Sequence, residues 1–166
     1  MLIVFGGLPG TGKTTISRAV AARWKATYLR IDAIEQALRD AGIPDTGIGA
    51  AGYVVANALA EANLDGGRMV VADCVNPVVE SREGWRRVAS RSSVRLIEIE
   101  VICSDRHEHR RRVEGRTTDI GGLVPPTWEA VIGRYYEPWD RPCLIIDTAH
   151  LSPAQSISLI ASHIGV

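Results

Sequence analysis

The sequence predicts an α/β fold in which a parallel sheet carries helices on both faces, and three observations predict it. Apolar strand-like runs alternate with segments of helical period five times along the 166 residues. The runs Leu2-Ile3-Val4-Phe5 and Met69-Val70-Val71-Ala72 are nearly continuous in apolar residues, as parallel strands covered on both sides are. Directly after the first run comes Gly7-Leu8-Pro9-Gly10-Thr11-Gly12-Lys13-Thr14, a match to the phosphate-binding pattern G-x-x-x-x-G-K-[ST] lying between a strand and a helix.

The elements follow in order. Ile16, Ala19, Val20, Arg23 and Trp24 recur at helical spacing, so residues 12–24 read as a helix with one face on the sheet. Tyr28-Leu29-Arg30-Ile31 reads as the second strand, and Asp32 at its end opens a helix over Ile34, Ala37, Leu38 and Ala41 that Gly42 and Pro44 stop. Residues 43–49 read as a turn-rich connection, and an alanine-rich helix over 50–64 closes with Asp65-Gly66-Gly67. The third strand, 68–73, ends at Asp73, and a helix over 79–91 carries Trp85, Val88 and Ala89 on one side. Val94 to Cys103 alternates Leu96, Glu98 and Glu100 with Ile97, Ile99 and Val101, a strand less covered on one face and nearer the sheet edge.

Ser104–Arg116 reads as an arginine-dense helix. Thr117–Pro126 holds Gly121-Gly122 and Pro125-Pro126 and reads as a mobile loop, so a small lid is expected over 110–126. A helix over 127–137 leads to the last strand, Cys143 to Asp147. Ser152 caps the final helix, with Pro153 at its first position and Gln155 closing a capping box. No internal repeat or linker composition interrupts the chain, so a single domain over residues 1–166 is expected.

Lys+Arg and Asp+Glu are both 19, which leaves no global field for nucleic acid or an anionic membrane. Lys13 and Lys25 are the only lysines, so arginine clusters are partly a matter of composition. Cys74, Cys103 and Cys143 form no spaced framework and lie in or beside apolar runs, as reduced thiols do. The N-terminal apolar run is short, lacks a basic segment before it and breaks at Gly6, so neither a signal peptide nor a membrane span is expected. A cytoplasmic protein follows from these readings.

In a parallel sheet of this kind ligands bind beyond the carboxyl ends of the strands, where the loop, Asp32, Asp73, Ser104 and Asp147 all emerge. Glycines at Gly7, Gly10 and Gly12 let successive amides turn inward around a phosphate. The nucleotide-binding set therefore runs Gly7, Leu8, Pro9, Gly10, Thr11, Gly12, Lys13, Thr14 and Thr15, with Lys13 at the β- and γ-phosphates of ATP. Thr14 and Asp73 are the candidate Mg²⁺ ligands. Asp32 is placed to hydrogen-bond an acceptor hydroxyl and take its proton; the alternative is a helix cap, since Asp32-x-x-Glu35 approximates a capping box. Arg112 and Arg116 lie four apart, so both project from one helix face toward the lid, where they could clamp phosphate oxygens or stack on adenine. Arg82 could meet an anionic acceptor, and Asp45, Tyr53 and Asn57 are the polar handles of an otherwise apolar acceptor region over 43–64. His107 and His109 lack metal-site spacing and read as surface residues.

Asp32 after the second strand, Asp73-Cys74-Val75-Asn76 with Arg82 following, the Arg112/Arg116 pair before a Gly/Pro loop, and Asp147-Thr148 after the last strand together resemble small P-loop kinases. The likeness is to the group of zeta toxins, chloramphenicol phosphotransferase and the kinase domains of polynucleotide kinases. It implies a P-loop NTPase fold with five parallel strands ordered 2-3-1-4-5, Asp32 as acceptor base, Asp73, Asn76 and Arg82 around the acceptor, and arginines closing over ATP. It also implies that Asp147 and Thr148 lie near adenine. The function expected is ATP-dependent transfer to a small-molecule hydroxyl. Two other readings stay open: a 5'-hydroxyl kinase of nucleic acid, which the arginines favour and the zero net charge opposes, and a nucleotide-driven ATPase or switch. Asp119-x-x-Gly122 matches a switch pattern, D-x-x-G, but falls in the Pro/Gly loop, and no Asn-Lys-x-Asp base reader is present.

Overall fold

The computed structural model of the chain describes residues 1–165. β1 (Leu2–Gly6) is the middle strand of a five-stranded sheet, flanked by β3 (Val70–Asp73) and β4 (Leu96–Ile102), with β2 (Thr27–Arg30) and β5 (Leu144–Asp147) at the edges. All pairings are parallel and the order is β2-β3-β1-β4-β5, as the resemblance implies. Parallel neighbours need crossovers, and these are supplied by α1 (Lys13–Arg23), α2 (Ile31–Asp40), α3 (Asp45–Asp65), α4 (Val79–Arg91), α5 (Arg106–Glu114) and α6 (Trp128–Ile132), while α7 (Pro153–Ile164) follows the last strand and packs back on the sheet.

β1 shows why the sheet is covered on both sides. Its alternate residues Leu2 and Val4 join one core with Ala56 and Ala60 of α3 and Trp85 and Val88 of α4. Ile3 and Phe5 join a second core with Ile16 and Val20 of α1 and Ile160 and Ile164 of α7. β4 lies next to the edge strand, and its less covered face carries Glu98 and Glu100. Those carboxylates are tolerated there because Arg86 donates to Glu98 (3.1 Å) and the Tyr136 hydroxyl donates to Glu100 (3.1 Å).

Four helices differ most from the sequence reading. α3 begins at Asp45, taking up Gly47 and Gly49 that read as a turn; each interior glycine costs about 1 kcal/mol, but fully buried Ile48 anchors the segment. α2 begins at Ile31, whose side chain is in the core, so Asp32 falls inside the first turn and no side chain caps that helix. The capping alternative for Asp32 is therefore not realised. α5 starts after Asp105, which accepts from the amides of His107 and Glu108, and ends at Gly115 rather than Arg116. α6 ends at Ile132 with Gly133 as its cap, short of the expected 137, and the chain beyond it is held by Arg82, which donates to the carbonyls of Glu137 and Pro138.

The predicted box at α7 is formed: the Ser152 hydroxyl accepts from the Gln155 amide, and the Gln155 side chain accepts from the Ser152 amide (2.9 Å). Ser152→Ala should lower stability by about 1 kcal/mol, read as a lower urea midpoint with an unchanged slope. An unchanged midpoint would mean that the box does not hold α7.

Candidate active site

The phosphate loop leaves the central strand and is clamped from every side. Gly7 has φ of 129°, and a Cβ there would collide with the Val101 carbonyl oxygen of β4. Gly10 has φ of 85°, and a Cβ there would stand 2.5 Å from Val113 Cγ2 of α5. The Gly7 amide donates to the Val75 carbonyl (3.0 Å), and the Thr148 hydroxyl donates to the Thr11 carbonyl (2.7 Å). His109 Nε2 lies 2.8 Å from the Pro9 carbonyl oxygen. A carbonyl can only accept, so Nε2 carries the proton. The imidazole is buried and packs edge-on against Trp128 at 5.2 Å, while Leu8 turns away into the cluster of Val113, Trp128 and Val131.

Lys13 opens α1 and is 7% exposed. Among the described residues its Nζ has one long hydrogen bond, 3.4 Å to the Leu8 carbonyl. Burial pushes its pKa down, and the charges of Asp73 and Asp32 partly oppose that. An ammonium so buried and so poorly paired suits an anionic ligand that replaces its lost hydration. It faces a cleft of about 1300 Å³ that also takes in Thr14, Thr15, Asp32 and Asp73. The far wall is α3, through Ala50, Tyr53, Val54 and Asn57.

Asp73, at the end of β3, is buried and accepts from the Tyr28 hydroxyl at Oδ2 (2.8 Å). Asp32 is half-buried, with Oδ2 3.5 Å from Arg30 Nη2 and 3.6 Å from Arg116 Nη2. Arg112 donates from Nη1 to the Thr148 hydroxyl (2.8 Å) and from Nη2 to its carbonyl (3.1 Å), while its Nε pairs with Glu108 (2.7 Å). Arg110 and Arg111 instead pair outward with Glu114 and Glu108. Arg111 and Arg112 together hold the Glu108 carboxyl down at about 2. Of the arginines in this region, Arg112 and Arg116 line the cleft, but not from one helix face as their spacing predicts, since Arg116 lies beyond the end of α5.

A central parallel strand, a glycine-strained phosphate loop and a buried loop lysine define the class, and comparison with known proteins gives its family. Residues 2–135 match the profile of AAA_33, described as an AAA domain. The chain belongs to the AAA_33 family. Among curated proteins none matches the sequence. Among solved structures, a protein of Chloroflexus aurantiacus J-10-fl is 23% identical, with TM-score 0.76 over 99% of this chain and 95% of that one. The APS kinase CysC of Mycobacterium tuberculosis, in complex with AMPPNP and APS, is 18% identical, with TM-score 0.73 over 99% and 97%. A sugar kinase of Janibacter sp. HTCC2649 is 19% identical, with TM-score 0.71 over 99% and 94%. These likenesses establish a P-loop NTPase fold for this AAA_33 chain.

Two residues expected around an acceptor lie elsewhere. Arg82 is 0% exposed and outside the cleft; it donates to the carbonyls of Asn76 (3.2 Å), Pro77 (3.3 Å), Glu137 (2.6 Å) and Pro138 (2.7 Å). Its guanidinium also lies 4.6 Å from the Trp139 ring centre. Asn76 is likewise fully buried, with φ of 55°, its amide donating to the Tyr53 hydroxyl (2.8 Å). Asp147 and Thr148 flank the loop without lining the cleft: Asp147 Oδ1 accepts from the amides of Ser104 (3.1 Å) and Ala149 (3.0 Å).

His109 is a correction of the opposite kind, a supposed surface residue that supports the loop. The readable signal is its spacing, one turn before Val113, the single apolar residue of α5. Arg30 was also missed. It lines the cleft two residues before Asp32, at the end of a strand that had read simply as core. Because Arg82 holds two chain segments together, Arg82→Met in this AAA_33 protein should lower stability by about 3 kcal/mol, since it orphans buried carbonyls, while nucleotide affinity stays within about twofold. A change in acceptor KM without loss of stability would contradict that.

Proposed function

We propose that the chain is an ATP-dependent phosphotransferase that moves the γ-phosphoryl group to a hydroxyl of a small molecule. The observation that carries this reading is that Asp32, paired with two guanidinia, faces the same cleft as the buried Lys13. A nucleotide switch has no need of a carboxylate there. The APS kinase and sugar kinase likenesses support a small-molecule acceptor, and the AMPPNP bound by the former supports ATP as donor. Three free cysteines suit a cytoplasmic setting, and a chain without net charge favours a small-molecule acceptor over nucleic acid. Among the described residues no helix is long and apolar enough to cross a membrane.

The amides of Gly10 and of Gly12 to Thr15, at the N-terminus of α1, would cradle the phosphates, with Lys13 at the bond to be broken. The Thr14 hydroxyl and the Asp73 carboxylate suit Mg²⁺, a hard cation that binds through few protein oxygens together with the phosphates themselves. Mg²⁺ would offset charge on the β- and γ-phosphates. Asp32 accepts the proton of the acceptor hydroxyl, whose oxygen bonds to the γ-phosphorus while the bridging bond to ADP breaks. The contacts with Arg30 and Arg116 aim the Asp32 carboxylate. Arg112 and Arg116 then meet the negative charge that builds on the transferring oxygens, and the 115–127 segment serves as the lid. The Asp147-Thr148 turn, tied to the loop through Thr11, is the candidate adenine side.

Asp32→Asn keeps the shape and removes the base, so transfer should fall about 10²- to 10⁴-fold with ATP affinity nearly unchanged. Near-normal transfer would move the base role to Asp73. Lys13→Met should abolish ATP binding without lowering the stability of the free protein, because an apolar side chain there relieves a buried charge. Retained ATP affinity would remove Lys13 from the phosphate site.

A further inference from the structure

Arg30 is 7% exposed, and its Nε has no partner among the described residues. A guanidinium so buried needs anions around it, and it has two close ones. Asp32 of α2 stands 3.5 Å from Nη2, and Asp119, from the segment between α5 and α6, accepts from Nη1 at 2.7 Å. The other Asp119 oxygen accepts from Arg18 Nη2 of α1 at 2.5 Å. One carboxylate thus bridges two arginines that come from rigid elements, one oxygen on each. That is how guanidinium groups hold a carboxylate or a phosphate. Hydrogen bonds from Arg30 and Arg18 hold the Asp119 carboxyl well below its usual range, so the bridge is ionic.

Asp119 is a weak tenant of this site. It is half-exposed, it is carried by a segment without regular structure, and its Arg18 partner is half-exposed as well. The exposed Arg18 pair contributes only about 0–1 kcal/mol, while buried Arg30 must keep an anion beside it, so Asp119 is displaced at small cost only by a ligand that brings its own negative charge to both guanidinia. The site also touches the proposed base, since the same guanidinium contacts Asp119 through Nη1 and Asp32 through Nη2.

We propose that Arg30 and Arg18 form the subsite for an anionic group of the phosphate acceptor, occupied in the free protein by Asp119 as an internal stand-in. The inference rests on the phosphotransferase reading and narrows it. The acceptor is a hydroxy compound bearing a carboxylate or phosphate within a few bonds of the hydroxyl that is phosphorylated, and not a neutral polyol.

The test uses the full chain saturated with ADP and Mg²⁺, so that the phosphate loop is filled, and titrates inorganic phosphate by calorimetry. Asp119→Asn should bind phosphate about 5-fold more tightly than the unaltered protein, with ADP affinity unchanged. Adding Arg18→Gln to Asp119→Asn should reverse the gain. Equal phosphate affinity in the unaltered protein and Asp119→Asn, or a double variant that binds as tightly as Asp119→Asn, overturns the subsite and leaves the phosphotransferase reading standing. Failure of ADP to bind at all overturns both.

Discussion

The close approach of the phosphate loop to its neighbours is the constraint on which the rest of the molecule depends. The backbone at Gly7 meets the Val101 carbonyl of β4, the backbone at Gly10 meets Val113 of α5, and no residue with a side chain fits at either point. Because β1 lies at the centre of the sheet, the loop can be held from both sides at once: Val75 beyond β3 accepts from Gly7, and Thr148 beyond β5 donates to Thr11. His109 closes the third side through Pro9. A loop fixed in this way aims its amides before any ligand arrives, which is the preorganisation that electrostatic stabilisation requires.

The same packing buries Lys13 beyond easy reach of water, and the surrounding charges follow from that. Asp73 and Asp32 offset the ammonium, while Arg30 and Arg116 flank Asp32 in turn. The cleft therefore alternates sign over short distances, although the whole chain carries no net charge. The local charges are therefore strong without a global field that would attract polyanions indiscriminately.

Much of this was legible in the sequence wherever function and structure share a local pattern. The phosphate loop, the strand ending in Asp73 and the Ser152–Gln155 box are read from neighbours within a few residues, and each is in place. What resisted reading depends on partners far along the chain. Arg82 looked like an anion receptor at the start of a helix, yet its carbonyl partners Glu137 and Pro138 and the Trp139 ring come from more than 50 positions away. Asp119 looked like a chance motif because Arg18 and Arg30 lie 101 and 89 positions before it. Gly47 and Gly49 read as a turn because local propensity cannot see that Ile48 has a core to enter.

The central claim is that this cleft joins a triphosphate to a hydroxyl. The most direct measurement incubates the protein with γ-³²P-ATP, Mg²⁺ and pools of hydroxy compounds, and follows where the label goes. The account predicts label in an acid-stable phosphate ester for at least one pool, at a rate well above the release of inorganic phosphate without acceptor. Label that appears solely in inorganic phosphate, at a rate no pool changes, would contradict it.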